Sequence, residues 1–214
     1  MECTPKLRQL ICEGRWSKIR VPENRPEYVM VRENGEEEQF VDFSYWLVHR
    51  VVAANCKEAW DVYRAFFRPR EMASYVRYMP LRMLNYLKDD LLKESYWTLY
   101  YLSYRRGDQT EMDWFLSEGA DINEIHTSLH RGVICSSSTL LLYYVKRCIY
   151  YHNRNPLECE KHITMIEYLL EHGADPLLEN RLGVSPLGWL RDVSLTDVNE
   201  AIVRRMLEML ERWE

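Results

Sequence analysis

The sequence predicts a mainly α protein assembled from repeated helical units, with a β-hairpin near its N-terminus. Three observations point there. A short phrase occurs twice: residues 115–123 read Phe-Leu-Ser-Glu-Gly-Ala-Asp-Ile-Asn, and residues 169–177 read Leu-Leu-Glu-His-Gly-Ala-Asp-Pro-Leu. Each copy closes an amphipathic helix and stops it at Gly119 or Gly173, where the chain turns through a left-handed conformation that glycine adopts at least cost. Asp121 and Asp175 follow two residues later, where a short side chain can bond the backbone of a turn. The second observation is Asn34-Gly35 between two apolar runs, a strong hairpin signal because both central residues of the favoured turn need positive φ. The third is the tail. There Val198, Ile202, Val203, Met206 and Leu210 recur near one helical face, with Glu200, Arg204, Arg205, Glu208 and Glu211 outside it.

Taken in order, residues 5–20 read as a helix with Leu7, Leu10 and Ile11 on one side and a turn at Glu13-Gly14. Tyr28 to Val31 and Gln39 to Val41 form the hairpin strands, and Glu36, Glu37 and Glu38 are a solvated run. Residues 1–42 are thus an N-terminal cap with a helix and a β-hairpin. A following helix carries Trp60, Tyr63, Phe66 and Phe67. Residues 68–95 read as a helical unit around Met79-Pro80, built from Met83, Leu84, Tyr86, Leu87, Leu91 and Leu92. From Thr98 to Leu116 a Tyr-rich helix, a break at Arg105-Arg106-Gly107-Asp108 and a second helix with Met112, Phe115 and Leu116 follow one another. Asn155-Pro156 is a clear breaker between two later helices.

These features resemble the ankyrin repeat, whose second helix runs into a phrase of the form LL-x-x-GAD-x-N. After Asp175 come Asn180, Gly183 and Ser185-Pro186-Leu187, close to the family's D-x-x-G-x-T-P-L-H opening. Ser185 is suited to cap the next helix and Pro186 to its first turn. Gly188 stands where the family has His, which puts one of its usual buried hydrogen bonds in doubt. Ser138-Thr139-Leu140 opens another unit, whose second helix is expected over 163–170. Leu47-Val48-His49-Arg50 imitates the P-L-H step, which implies a structural His49 bonded to neighbouring backbone, and Asn55-Cys56-Lys57-Glu58 stands for G-x-x-E. The resemblance implies a solenoid of stacked antiparallel helix pairs, with degenerate helical repeats over 43–95 and ankyrin repeats ending in a capping helix over 96–214. The spacing is irregular. Gly119 and Gly173 lie 54 residues apart, against about 33 for the repeat, and the excess is expected at 132–138 or 153–161.

Composition narrows the function classes. Hydrophobic residues make up 47% of the 214, enough for a core, and no run of apolar residues suits a membrane span. The formal charge of −5 argues against a general polyanion binder while leaving room for a local basic patch. Six cysteines form no C-x-x-C pair, so zinc-ribbon and redox motifs lack support; Cys12, Cys56 and Cys148 are expected as buried small hydrophobes. The absence of a basic-then-apolar leader points to the cytoplasm, with the nucleus as alternative. His126 and His130 have i,i+4 spacing without an intervening acid, in a segment expected to be loop. No Gly-rich phosphate loop or nucleophile elbow occurs. The chain is therefore expected to be no enzyme and to need neither cofactor nor metal.

What remains is surface. In the ankyrin frame the first helix of each unit lines a concave face, which implies contact positions at Arg105 and Arg106 in one unit and Lys146 and Arg147 in the next. Tyr100, Tyr101, Tyr104, Tyr143 and Tyr144 surround them; Arg181 and Asp192 complete the expected set. Arg and Tyr are typical hot-spot residues. The expectation is a protein partner with an acidic surface or peptide, sequestered or inhibited. The alternative is a nucleotide or oligonucleotide held by basic and aromatic groups. Divergent, aromatic-rich arrays of this style are similar to those of large DNA viruses and bacterial effectors, which would set the chain in a host cytosol. No F-box-like tail follows the last helix, which favours sequestration over a degradation adaptor.

Overall fold

The computed structural model describes residues 4–22, 28–33, 36–104, 109–152, 154–193 and 200–214, with the backbone alone for the first two strands. The protein is mainly helical and divides into two compact units, residues 1–94 and 95–214.

In the first unit, α1 (Pro5–Cys12) begins where the Thr4 hydroxyl accepts from the Leu7 amide, with Pro5 at the first helical position. Leu7 and Ile11 are buried, and the helix gives way at Gly14, φ +65°. Cys12 is exposed, contrary to expectation. It follows Ile11 by one residue, about 100° further around the helix, which turns it from the core. Strands β1 (Tyr28–Glu33) and β2 (Glu36–Asp42) pair antiparallel, from Tyr28 opposite Asp42 to Glu33 opposite Glu36, as a hairpin. Its expected Asn34-Gly35 turn lies outside the described residues.

The chain then enters α2 (Phe43–Ala54), capped by Asp42, which accepts from the Tyr45 amide at 3.0 Å. This cap places Leu47–Arg50 inside the helix, not at its start. His49 is consequently exposed, its ring edge-on to Tyr45 at 4.4 Å; the expected backbone-bonding role does not hold. Asn55 ends α2 in the left-handed region, φ 41°, as its place in the G-x-x-E step anticipates. Next, α3 (Lys57–Phe66) buries Trp60, Tyr63 and Phe66, with Phe66 edge-on to Phe43 at 5.2 Å. Each such burial contributes about 1.5–3 kcal/mol. Helices α4 (Pro69–Ala73) and α5 (Leu81–Leu91) follow, joined by a 3₁₀ turn, and bury Met79, Met83, Leu84, Leu87 and Leu91. Tyr86 faces solvent instead, and Leu92 is half-buried. Cys56 is also only half-buried.

Among the described residues the second unit holds three helix pairs: α6 (Ser95–Leu102) with α7 (Thr110–Ser117), α8 (Leu140–Tyr151) with α9 (Pro156–Glu171), and α10 (Pro186–Asp192) with α11 (Glu200–Glu211). The central helix α8 packs on both α6 and α10. Its Leu140, Leu141, Leu142 and Val145 are buried, as are Ile163, Ile166, Leu169, Leu187, Val203, Met206 and Leu210 around it. Caps set the helix starts. Thr139 accepts from the Leu142 amide, Asn155 from Glu158 and Ser185 from Gly188. A Cβ at Gly188 would lie 2.8 Å from the Ser185 hydroxyl oxygen. The absence of a side chain at Gly188 therefore leaves room for this cap.

The repeated phrase does the same work twice. Gly119 (φ +97°) and Gly173 (φ +88°) turn left-handed after α7 and α9. Asp121 accepts from the Asn123 amide at 2.8 Å and Asp175 from the Leu177 amide at 2.7 Å. Two segments between the two glycines depart from expectation. One is a second hairpin, β3 (His126–His130) and β4 (Val133–Ser138), where loop was expected. Its turn residues Arg131 (φ 52°) and Gly132 (φ 79°) both carry positive φ, as a tight hairpin turn requires. The other is α9, which starts at Pro156 and not 163, about two turns earlier.

Within the second unit, side chains of the turns join one helix pair to another. Asn123 donates to the Gly173 carbonyl at 3.1 Å and accepts from the Asp175 amide at 2.9 Å. Buried Asn180 donates to the Ser137 carbonyl at 2.7 Å and accepts from the Leu182 and Val184 amides. On the outer helices, Tyr168 donates to Asp113 at 2.6 Å and Arg205 pairs with Glu160 at 2.9 Å.

Candidate functional site: a tyrosine-rich surface on α6 and α8

Tyr96, Tyr100 and Tyr104 recur every fourth residue, which puts them along one side of α6 and the turn that follows. Tyr143 sits opposite, one turn into α8. Its hydroxyl lies 3.3 Å from that of Tyr100 and 3.2 Å from that of Tyr104, so three phenols share one hydrogen-bonded knot. The Tyr100 ring meets Tyr101, Tyr104 and Tyr143 edge-on at 5.0–5.2 Å. Such pairs contribute about 0.5–1.5 kcal/mol each beyond area burial. Beneath the knot, Ser103 bonds the buried Tyr144 hydroxyl. At its edge His126 stacks on Tyr96 at 5.1 Å and meets Trp97 at 4.7 Å.

Of the four basic residues expected in a stripe, Lys146 and Arg147 fall among the described residues. Lys146 and Arg147 are consecutive on α8 and diverge by about 100°. The Lys146 ammonium lies 5.5 Å from the Trp189 ring of α10. The Arg147 guanidinium points to the tyrosines, 5.6 Å from the Tyr143 ring and 4.9 Å from Tyr151. Arg105 and Arg106 lie outside the described residues. Arg181 and Asp192 are exposed and join the tyrosine cluster through no hydrogen bond, ion pair or ring contact; the Arg181 backbone amide instead donates to Ser137. The set brought together is thus Tyr100, Tyr104, Tyr143 and Arg147.

Electrostatics follow from this packing. Burial, then hydrogen bonding to Tyr143, raises the pKa of both Tyr100 and Tyr104, so these phenols stay neutral donors well into alkaline solution. Burial lowers Lys146. For Arg147 burial acts in the same sense, but the oxygens of Tyr143, Tyr151 and Tyr104 outweigh it, and the net shift is upward. Its Nε is buried without a hydrogen-bond partner, and no carboxylate pairs with the group among the described residues. An aromatic-flanked guanidinium of this kind is held by cation–π attraction of about 0.5–2 kcal/mol per ring.

No protein-family model and no curated protein matches this chain. Among the described residues no three His, Cys, Asp or Glu side chains gather as metal ligands, and no helix is long and apolar enough to cross a membrane. His126 and His130 fall on strand β3, where i,i+4 residues lie about 13 Å apart, too far to share an ion.

Sequence reasoning missed Tyr150, Tyr151 and His126. The two tyrosines were legible: they follow Arg147 by three and four residues, which on a helix brings their rings to its guanidinium. His126 reaches Tyr96 only because β3 returns beside α6, and no local pattern reports that.

Proposed function

We propose that residues 95–214 form a short, divergent ankyrin array that captures a partner protein on its tyrosine-rich surface, in a non-enzymatic role of sequestration or inhibition. Left-handed Gly119 and Gly173, the aspartate-bonded turns and the Asn123 link between successive units support the repeat reading. The functional reading rests on one observation. Arg147 is held among phenol rings with no carboxylate partner among the described residues, beside three convergent hydroxyls. A half-buried cation gains most from an anion that arrives with its own desolvated surface, and tyrosine supplies contact area at small entropic cost. The partner therefore offers an aspartate or glutamate side chain within an otherwise apolar patch.

The test is affinity capture from cytosol with the wild type, Arg147→Glu, Tyr104→Ala and, as control, Arg204→Glu on the outer helix α11. Loss of at least about tenfold in capture is expected for the first two variants and none for the control. Unchanged capture by a folded Arg147→Glu chain overturns the reading. A nucleotide site is the weaker alternative, because the Trp189 ring is already covered by Lys146 and Trp97 stacks on Tyr101. Calorimetric titration with nucleoside phosphates distinguishes it: heat that vanishes in Arg147→Glu would favour the nucleotide.

A further inference from the structure

Two cysteines meet inside the second unit, although they stand 11 residues apart in the sequence. Cys148 lies in the last turn of α8 and Cys159 in the first turn of α9, both free thiols and both buried. Their sulfurs are 3.0 Å apart, about 1 Å longer than the roughly 2.05 Å of a disulfide bond. The Cys148 thiol also lies 3.8 Å from the Cys159 carbonyl oxygen, so the helix ends are already held against one another by this pair. The enclosed segment 149–158 carries Tyr150, Tyr151 and Arg154, and Arg147 immediately precedes Cys148.

We infer that Cys148 and Cys159 are a site of intramolecular disulfide formation under peroxide, which staples α8 to α9. The chemistry balances with hydrogen peroxide as oxidant. One sulfur, as thiolate, attacks a peroxide oxygen; the O–O bond breaks, one water leaves, and a sulfenic acid remains. The second sulfur then displaces the sulfenic hydroxyl as water and the S–S bond forms. Two thiols and one peroxide become one disulfide and two waters, with two electrons passing from sulfur to oxygen. Burial, then the neighbouring Cys159 thiol, raises the Cys148 pKa, so the thiolate is scarce and the reaction waits on local opening of the α8–α9 turn. The exposed Cys135 is expected to react with peroxide faster.

The experiment treats the reduced full chain with hydrogen peroxide at low protein concentration, denatures it in alkylating reagent and maps the peptides by mass spectrometry. A peptide pair linked through Cys148 and Cys159, lighter by two hydrogens than the reduced pair, is the expected result. The oxidised wild type should also melt several degrees higher than the reduced form, because the cross-link restricts the unfolded chain. Cys159→Ala should abolish that rise. The inference is overturned if both cysteines remain alkylatable after prolonged oxidation, or if each appears only as separate sulfinic acid or in links to other cysteines. The mapping on wild-type protein decides this even if the variant fails to fold.

Discussion

Asn123 and Asp175 form a link between successive turns of the second unit. The Asn123 side-chain oxygen accepts from the Asp175 amide at 2.9 Å, while its nitrogen donates to the Gly173 carbonyl at 3.1 Å. One amide thereby satisfies a donor and an acceptor exposed where α9 stops, 50 and 52 residues further along the chain.

Replacing Asn123 by Ala removes both bonds. At about 0.5–1.5 kcal/mol net for each, the second unit should lose roughly 1–3 kcal/mol. Asn123→Asp keeps only the acceptor and should fall between. Urea unfolding followed by circular dichroism measures this, and an unchanged midpoint for the alanine variant would show that the link adds nothing.

Gly173→Ala isolates backbone strain. A Cβ at this position meets nothing within 4 Å, so the substitution is penalised only through its φ of +88°. A left-handed conformation costs an L-residue about 1–2 kcal/mol, and a loss of that size is expected. Gly173→Asn should lose less, since asparagine tolerates this region. Equal melting temperatures for all three chains would contradict the left-handed stop.

His162 should make the second unit sensitive to mild acid. Its ring is buried between Tyr144 and Tyr151, at 5.4 and 5.5 Å, and Nε2 has no partner among the described residues. Burial lowers its pKa most; Arg147 and Lys161 add to this and Glu158 opposes it. The sign follows: between the folded value and the unfolded value of about 6.5, the unfolded chain binds a proton that the folded chain refuses. Stability is therefore full above about pH 6.5 and declines as pH falls through that value, until the folded value is passed. Unfolding free energies at pH 7.5 and 5.5 should differ more for wild type than for His162→Gln. Parallel pH profiles for the two chains would remove His162 as the cause.

Much of the fold was legible because the decisive chemistry is local. Gly119, Gly173 and Asn55 stop helices for reasons of φ alone, and Ser185 caps through its own hydroxyl. Registers were harder. Leu47–Arg50 mimicked a helix start, yet Asp42 had already capped the helix five residues earlier, and side-chain capping outweighs a resemblance of motif. Residues 126–138 read as loop because Ser and His are weak strand formers; the positive φ of Arg131 and Gly132 is what turns the segment back on itself. Of the surface, the tyrosine spacing was visible in the sequence. The separation of Lys146 from Arg147, and the meeting of Arg147 with Tyr151, follow from the geometry of one helix, but the meeting of Lys146 with Trp189 depends on how α10 packs.

The β3–β4 hairpin separates chain length from reach. His126 is paired with Ser138, so the backbone leaves the helical body and returns beside its point of departure. Residues added at the Arg131-Gly132 tip lengthen the polypeptide without moving α8 relative to α7, and each doubling of such a loop costs only about 0.6 kcal/mol. The tip is therefore the natural position for insertion of an epitope or a fluorescent domain.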